Sequence, residues 1–487
     1  MAMSLIKNAV AKLVEQEGYN IKTSSNEQKI AEYTSFYKGK IDKFHTYKEF
    51  VNGKLQKFTR KSTQVAKMVS EDWASILWSE KVEITHSNET INKLIKETLE
   101  NNNFQVMFGH AIEYAFGQSE HLLYEFAENN NIWINFVNVH NYVVLDHWNG
   151  IPTVVFAWED DIITFTNQNG VEKQIKVIKT SLFKWNDGVT YVKTQFHRKS
   201  DKGRMDTQTI DVVGQKLIPG FTEEWSKASK RPHFQVVKPN IANNHDFSEL
   251  RGTAIHANCP DDIKTLDIIS TGFEWEYVSG ENKVIITKEV LDKNIDMETG
   301  AYTANFDVTK KTYVVAEGIS GSPVNIVQFE IRADQFDAGM TRFYSEVSRK
   351  SGLGPDFYSF KEGTVYINKE AVLSSKGPLW RNKLKHEQIL NFVLGSLVNS
   401  IIILSGKTAS ENDTLTIKFD DSLITDKDAE EAKSKLDVKE GFKLMWEHLL
   451  EYDPKVKDAD EAKEKAKELR QGTLMDDMSI LGIDGNK

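Results

Sequence analysis

The stretch that most constrains the fold runs from Ile331 to Gly406, a helix, a break and a second, greasier helix. Phe336, Met340, Phe343, Tyr344 and Val347 recur at three- and four-residue spacing, which puts one apolar stripe along one helix face. Arg332, Thr341, Arg342, Glu346 and Arg349 fall on the other face. The run Ser351-Gly352-Leu353-Gly354-Pro355 stops that helix, because glycine supplies left-handed backbone and proline cannot continue the hydrogen bonding. Gly377-Pro378 reads as a second break, and from Trp380 a helical pattern continues through Ile389, Phe392, Val393, Leu397, Ile401 and Leu404. Two packed helices presenting a polar, basic loop suit an oligomer that grips or guides something.

The rest of the chain sets this hairpin in an α+β frame. Ser62 is expected to cap a helix with a stripe of Val65, Met68, Val69, Trp73, Ile76 and Leu77. Lys81 to Thr85 alternates as a strand, and helices follow over Glu89–Asn101 and from Phe104 to Phe116, the second closing at Gly117. Upstream, residues 1–55 read as mixed and polar, with Phe44, Tyr47 and Phe50 among scattered aromatics expected to pack against neighbours. From Glu120 to about Val237 short strands dominate, separated by turns such as Asn169-Gly170 and Asn186-Asp187-Gly188; Pro152–Trp158 and Ile162–Thr166 read as two of them. Pro260 opens a helix that Asp261 and Asp262 support at its positive end, with a stripe continuing to Tyr277. Strand-like Val284-Ile285-Ile286 and Tyr313-Val314-Val315 lie at the tip of the helical hairpin, and Leu415–Phe419 alternates as a last strand. Residues 426–470 are helical in composition, with a break at Asp453-Pro454.

A chain of 487 residues can bury a large core, and its net charge of -10 argues against a wholesale nucleic-acid coat while leaving room for a local basic surface. One cysteine, Cys259, excludes an intramolecular disulfide and a four-cysteine zinc site, and reads as a half-buried thiol. Residues 1–17 carry no apolar core of signal-peptide length, and the greasiest window, Asn391–Leu404, is short for a membrane span and interrupted by Ser396, Asn399 and Ser400. The expectation is a soluble, cytosolic chain that makes no membrane contact.

Catalytic motifs are missing. No Walker A loop, dinucleotide turn, HExxH or GxSxG occurs, and His386-Glu387 lacks the second histidine of a zinc motif. Asp160-Asp161, Asp261-Asp262 and Asp420-Asp421 are the acidic pairs a metal-dependent nuclease would need, but each reads as a strand end or helix start. Neither His140 with His147 nor His110 with His121 has the spacing that aims two imidazoles at one ion. No cofactor or metal is expected. One basic cluster stands out in this acidic chain: Lys361, Lys369, Lys376, Arg381, Lys383 and Lys385 against Glu362 and Glu370, a local excess of four. A charge run is ordinarily a solvated face; several copies of this one around a common axis would touch phosphates without reading sequence.

The order of these elements resembles the portal (connector) proteins of tailed bacteriophages, in particular those of phages that infect Gram-positive bacteria. The resemblance is carried by the stretch from Ser62 to Glu83, Asn243-Asn244 before the Pro260 helix, Asn305-Phe306-Asp307-Val308 before Tyr313, Arg332, Ser348 to Gly354 with Phe357 and Phe360, and Lys385-His386-Glu387. It implies a non-enzymatic ring of about twelve subunits at one capsid vertex, a conduit for double-stranded DNA in packaging and ejection. It also implies a wing at residues 1–240 (helical to 119, β-rich from 120), a stem of 241–280 and 331–350, and a clip at 281–330. A tunnel loop at 351–378, a long helix and return strand at 379–425 and a crown at 426–487 complete the division. Implied partners are the terminase large subunit, a head-completion adaptor, the major capsid protein and scaffolding protein, with the subunit in the virion and, during assembly, in the host cytoplasm. Lys361, Lys369, Lys376, Arg381, Lys383 and Lys385 are then candidates for DNA contact in the channel, and Asp292, Lys293, Asp296, Glu298, Lys310 and Lys311 for partner contact at the clip. Another virion head-assembly protein, or a metal-dependent nuclease or hydrolase, are the competing readings.

Overall fold

The computed structural model describes residues 2–21, 25–51, 53–79, 82–128, 131–166, 172–215, 217–218, 220–245, 251–280, 283–287, 312–315, 324–327, 330–358, 369–410, 412–419, 434–436, 438–439, 443–453 and 460–467. For 283–287, 312–315, 324–327 and 369–376 the description is of the backbone. The chain divides into two units, Met1–Phe419 and Asp420–Lys487.

The first unit is α+β, and its layers follow from period-two alternation along strands. Strands β4 (His121–Glu128), β5 (Asn131–Asn138) and β12 (Phe234–Val237) form a sheet in the order β12-β4-β5. A larger antiparallel sheet runs β10-β9-β8-β7-β6, made of β6 (Tyr142–Trp148), β7 (Ile151–Thr166), β8 (Glu172–Asn186), β9 (Val189–Lys199) and β10 (Met205–Thr209), with β11 (Glu224–Ala228) also paired to β9. Leu122 and Tyr124 of β4 face Val155 and Phe183 of the larger sheet, while Leu123 between them faces the helical core. On β7, Val154, Phe156 and Trp158 point the opposite way from Val155 and meet Val10, Leu13 and Val14 of helix α1 (Ala2–Gln16). The layers are therefore helix, sheet, sheet, helices.

Helices α3 (Val65–Leu77), α4 (Glu89–Asn101), α5 (Phe104–Gln118) and the start of α6 (Pro260–Ser279) form the helical core together with α8 (Lys369–Leu404). Trp73, Phe104, Phe108 and Phe116 are its largest buried rings, packed against Leu390, Val393, Leu394, Leu397 and Ile401 of α8. Strand β16 (Leu415–Lys418) pairs antiparallel with β3 (Glu83–His86). Helix α7 (Ala333–Lys350) lies antiparallel to α6, with Lys350 on Asp262 at one end (2.6 Å) and Arg332 bidentate on Glu276 at the other (2.8 and 2.9 Å). Between α6 and α7 the chain forms a three-stranded sheet, order β14-β13-β15, from β13 (Lys283–Thr287), β14 (Thr312–Val315) and β15 (Val324–Val327). In the second unit, α9 (Met445–Tyr452) ends at Asp453, and His448 is hydrogen-bonded to Ser434.

Several expectations need correction. Ser62 is not the helix cap: α3 starts at Val65, and the Ser62 hydroxyl accepts the Gln64 N–H ahead of it. Helix α5 passes through Gly117, because the missing side chain admits Tyr37, whose ring carbon lies 2.3 Å from where a Cβ would sit. The two strands expected within residues 152–166 are one, which places Asp160-Asp161 in mid-strand, where Lys199 neutralises Asp160 across the ladder at 2.5 Å. Residues 2–37 are largely helical, since α1 and α2 (Ser25–Tyr37) gain from burial what their sparse patterns lack. Cys259 is fully buried at the start of α6, and burial with Asp262 nearby pushes its thiol up to about 12.

Helix α8 departs most. Its backbone stays helical through Gly377-Pro378 and begins at Lys369, so the second break is absent and the expected loop is shorter at its end. Proline forfeits one backbone bond, but packing of Leu379 and the apolar residues from Leu390 to Ile402 carries the helix. The portion Gly377–Leu404 is long and apolar enough to cross a membrane by length and composition, contrary to the shorter window read from sequence. The three polar residues of that window face protein. Ser400 bonds His233 (2.8 Å), Asn399 donates to Ser229 (3.0 Å), and Ser396 is buried against Arg231.

Candidate functional site

The end of α7 and the start of α8 are held by a compact set of bonds. Gly352 adopts φ +86°, which lets the Leu353 N–H return to Ser348 O (2.9 Å) and closes α7. Trp73 Nε1 donates to Ser351 O (3.0 Å), Asn382 Nδ2 donates to Gly352 O (3.0 Å), and the Tyr358 hydroxyl bonds Asp72. Residues 351–358 are therefore anchored to α3 and α8. Residues 359–368, with Lys361, lie outside the described residues.

The six basic candidates separate. Lys369 and Lys376 sit on the backbone of α8. Arg381 and Lys385 are exposed one turn apart on the same helix, the spacing that places two side chains on one face. Lys383 is excluded as a DNA contact: its side chain is 1% exposed, its amine is 2.5 Å from Glu387 Oε1, and the Trp380 ring lies alongside. A cation on the inward face of a packed helix is tolerated only with such a partner. His386 is structural as well. It accepts the Asn240 N–H (3.0 Å), sits edge-on to Trp73 and Phe116, and burial pushes its imidazole down to about 3. The clip candidates Asp292, Lys293, Asp296, Glu298, Lys310 and Lys311 lie outside the described residues.

Of the acidic pairs, Asp261-Asp262 opens α6 and is engaged by Lys350, Asp160-Asp161 belongs to β7, and Asp420-Asp421 lies outside the described residues. Among the described residues no three His, Cys, Asp or Glu side chains converge as a metal site would require. His140 is hydrogen-bonded to Thr34 (2.9 Å) rather than directed at His147.

One surface escaped the sequence reading. Residues 46–59 form a hairpin of β1 (Thr46–Val51) and β2 (Lys54–Thr59), and Asn52-Gly53 between two alternating runs was its signal. A buried carboxylate ties its base to α6. Asp267 accepts His45 Nε2–H (3.0 Å) and the Thr63 N–H and hydroxyl (both 2.7 Å), while His45 Nδ1 accepts the Ile41 N–H (2.8 Å). Asp267→Ala is expected to cost about 3 kcal/mol in chemical denaturation, because the buried His45 N–H and the two half-buried donors of Thr63 lose their acceptor. No family model and no curated protein matches this chain.

Proposed function

We propose that this chain is a portal subunit, a ring-forming structural protein that conducts double-stranded DNA at a capsid vertex and has no active site of its own. The observation that carries the reading is the α6–α7 hairpin. It is rooted in the core at Ile263, Leu266 and Val347, yet it leaves Ile268, Trp275, Tyr277 and Val278 exposed along α6. A monomer rarely leaves so many large apolar side chains on one helix uncovered, whereas copies arranged side by side about an axis would bury them. The small sheet between α6 and α7, and the β16 return to β3, match the element order on which the resemblance rests. In this reading Arg381 and Lys385 remain as basic candidates of known exposure, with Lys361, Lys369 and Lys376 beside them in sequence. A few lysines suffice for a channel through which DNA must slide, since tight contacts would arrest it.

Mass photometry of the full chain tests the proposal. A discrete species near twelve or thirteen times 55.6 kDa, with ring-shaped particles, is expected. Ile268→Glu with Val278→Glu is expected to shift it to a monomer that keeps the wild-type far-ultraviolet circular dichroism, with a melting temperature lowered by no more than the loss of assembly accounts for. A wild-type chain that stays monomeric and is also excluded from particles when co-expressed with capsid and scaffolding proteins would overturn the reading.

A further inference from the structure

The β1–β2 hairpin has two unlike faces. In register, Tyr47 opposes Phe58 and Glu49 opposes Gln56 on one of them. There the Tyr47 and Phe58 rings stack at 5.7 Å, Arg60 lies 4.0 Å from the Tyr47 ring, and Phe58 reaches Trp275 of α6. That face, with the Asp267 clasp below it, holds the ribbon in place. On the other face Thr46 opposes Thr59, Lys48 opposes Lys57, and Phe50 opposes Leu55. All six are exposed, Phe50 at 77% and Leu55 at 53%. Two lysines directly opposite one another repel and weaken a ladder. A two-stranded ribbon is marginal in water as it is. The pair therefore carries a repulsion that a bound anion would relieve.

The surroundings extend the charge. Residues 38–61 carry eight Lys and Arg against two Asp and Glu, an excess of six in a chain whose net charge is -10. Lys38, Lys40, Lys43, Lys48, Lys54, Lys57 and Lys61 are exposed, and none has an ion-pair partner among the described residues. Lysine is depleted at protein–protein interfaces, where arginine and buried aromatics prevail, but it is a common phosphate contact. The arginine here is already committed to rings. Single-stranded nucleic acid calls for a row of aromatic platforms, and this face offers one exposed ring. A two-stranded β-ribbon has the width to enter the major groove of a duplex.

We propose that the β1–β2 hairpin is a contact for double-stranded DNA that does not depend on sequence. Lys48 and Lys57, supported by Lys43, Lys54 and Lys61, meet backbone phosphates, and Phe50 with Leu55 lies against the groove. The site is separate from the α7–α8 loop, and its test does not depend on ring assembly. The full-length chain is titrated onto a fluorescein-labelled, random-sequence duplex over a series of salt concentrations. Lys48→Ala with Lys57→Ala is expected to weaken binding about tenfold at low salt and to lower the slope of log K against log salt by about 2. Lys227→Ala with Lys230→Ala, an equal charge change at exposed positions on and beside β11, is expected to change neither. Both hairpin positions are exposed and their repulsion is removed together, so the melting temperature of the variant is expected to be no lower than that of the wild type. Unchanged affinity and slope in the hairpin variant would overturn the proposal, as would equal losses in both variants. Loss of self-association with intact DNA binding would assign the face to a second copy of the chain and overturn it too.

Discussion

Replacing Arg251 with methionine is expected to cost the first unit about 4 kcal/mol at pH 7, because it strands a buried carboxylate. Glu120 sits between the α5 cap and the first residue of β4, and its side chain is shut off from water. Arg251 reaches its Oε1 through Nε (2.8 Å) and an η nitrogen (2.6 Å), and the Gly252 N–H reaches Oε2 (2.9 Å). Burial alone would raise this carboxyl; the guanidinium and the Gly252 N–H overcome it and hold the group below its ordinary 4.5. A depressed carboxylate contributes stability above the unfolded value, lost as pH falls through the folded one. The penalty of Arg251→Met is therefore expected to be large at pH 7 and to shrink as pH falls toward and below 4.5, because burial makes the unpaired Glu120 of the variant take a proton above its ordinary value and the wild-type group takes one below it. Urea denaturation at several pH values reads it. Adding Glu120→Gln is expected to recover part of the loss at pH 7, and a penalty unmoved by either change would refute the account.

Glu125→Gln is expected to act in the opposite direction and stabilise the chain under alkaline conditions. Glu125 is buried in β4 against β12 and α8, with Gln235 Nε2 donating to it at 3.2 Å and His233 joined to Ser400 beside it. Burial pushes the carboxyl up to about 8 and pushes the His233 imidazole down to about 4. The folded chain thus keeps a proton on Glu125 that the unfolded chain releases above 4.5, so stability falls as pH rises from there to about 8. Glutamine removes this slope. The gain is expected to be about 3 kcal/mol at pH 8 and near zero at pH 4.5, seen as melting curves that diverge with pH. Parallel curves for the two chains would sink the idea.

Sequence periodicity revealed those elements whose burial is one-sided. Helices α3, α4, α6 and α7 lie near their expected positions, because each presents a regular apolar stripe to one neighbour. It failed where two layers compete for one segment. Strand β7 buries residues on both faces, so its mid-strand aspartates looked like a terminus, although Lys199 two strands away satisfies one of them. At Pro378 the local rule pointed to a break, and the packing of two dozen following residues overrode it. Lys383 looked like one more loop cation because sequence separation cannot show that it faces inward, onto Glu387 one turn away. The hairpin hid for the reverse reason: its free face carries no apolar stripe to read, and its lysines were diluted in a chain that is acidic as a whole.

The α6–α7 pair has a mechanical meaning. Twenty residues make α6 a rod about 30 Å long; the apolar core grips it around Cys259, Ile263 and Leu266, and the Asp267 bonds to His45 and Thr63 hold it just beyond. It is a cantilever. Two rods side by side bend easily if they slide past each other, and these are keyed against sliding. The Phe336 ring seats on Gly272, and Ile269 seats on Gly339, each 3.4 Å from where a Cβ would be. The ion pairs at the two ends act as pins through the same laminate. A keyed and pinned beam tilts as a unit about its root. That root is where Trp73 holds Ser351 and Asn382 holds Gly352, so a push at the far end arrives as torque on α3 and α8.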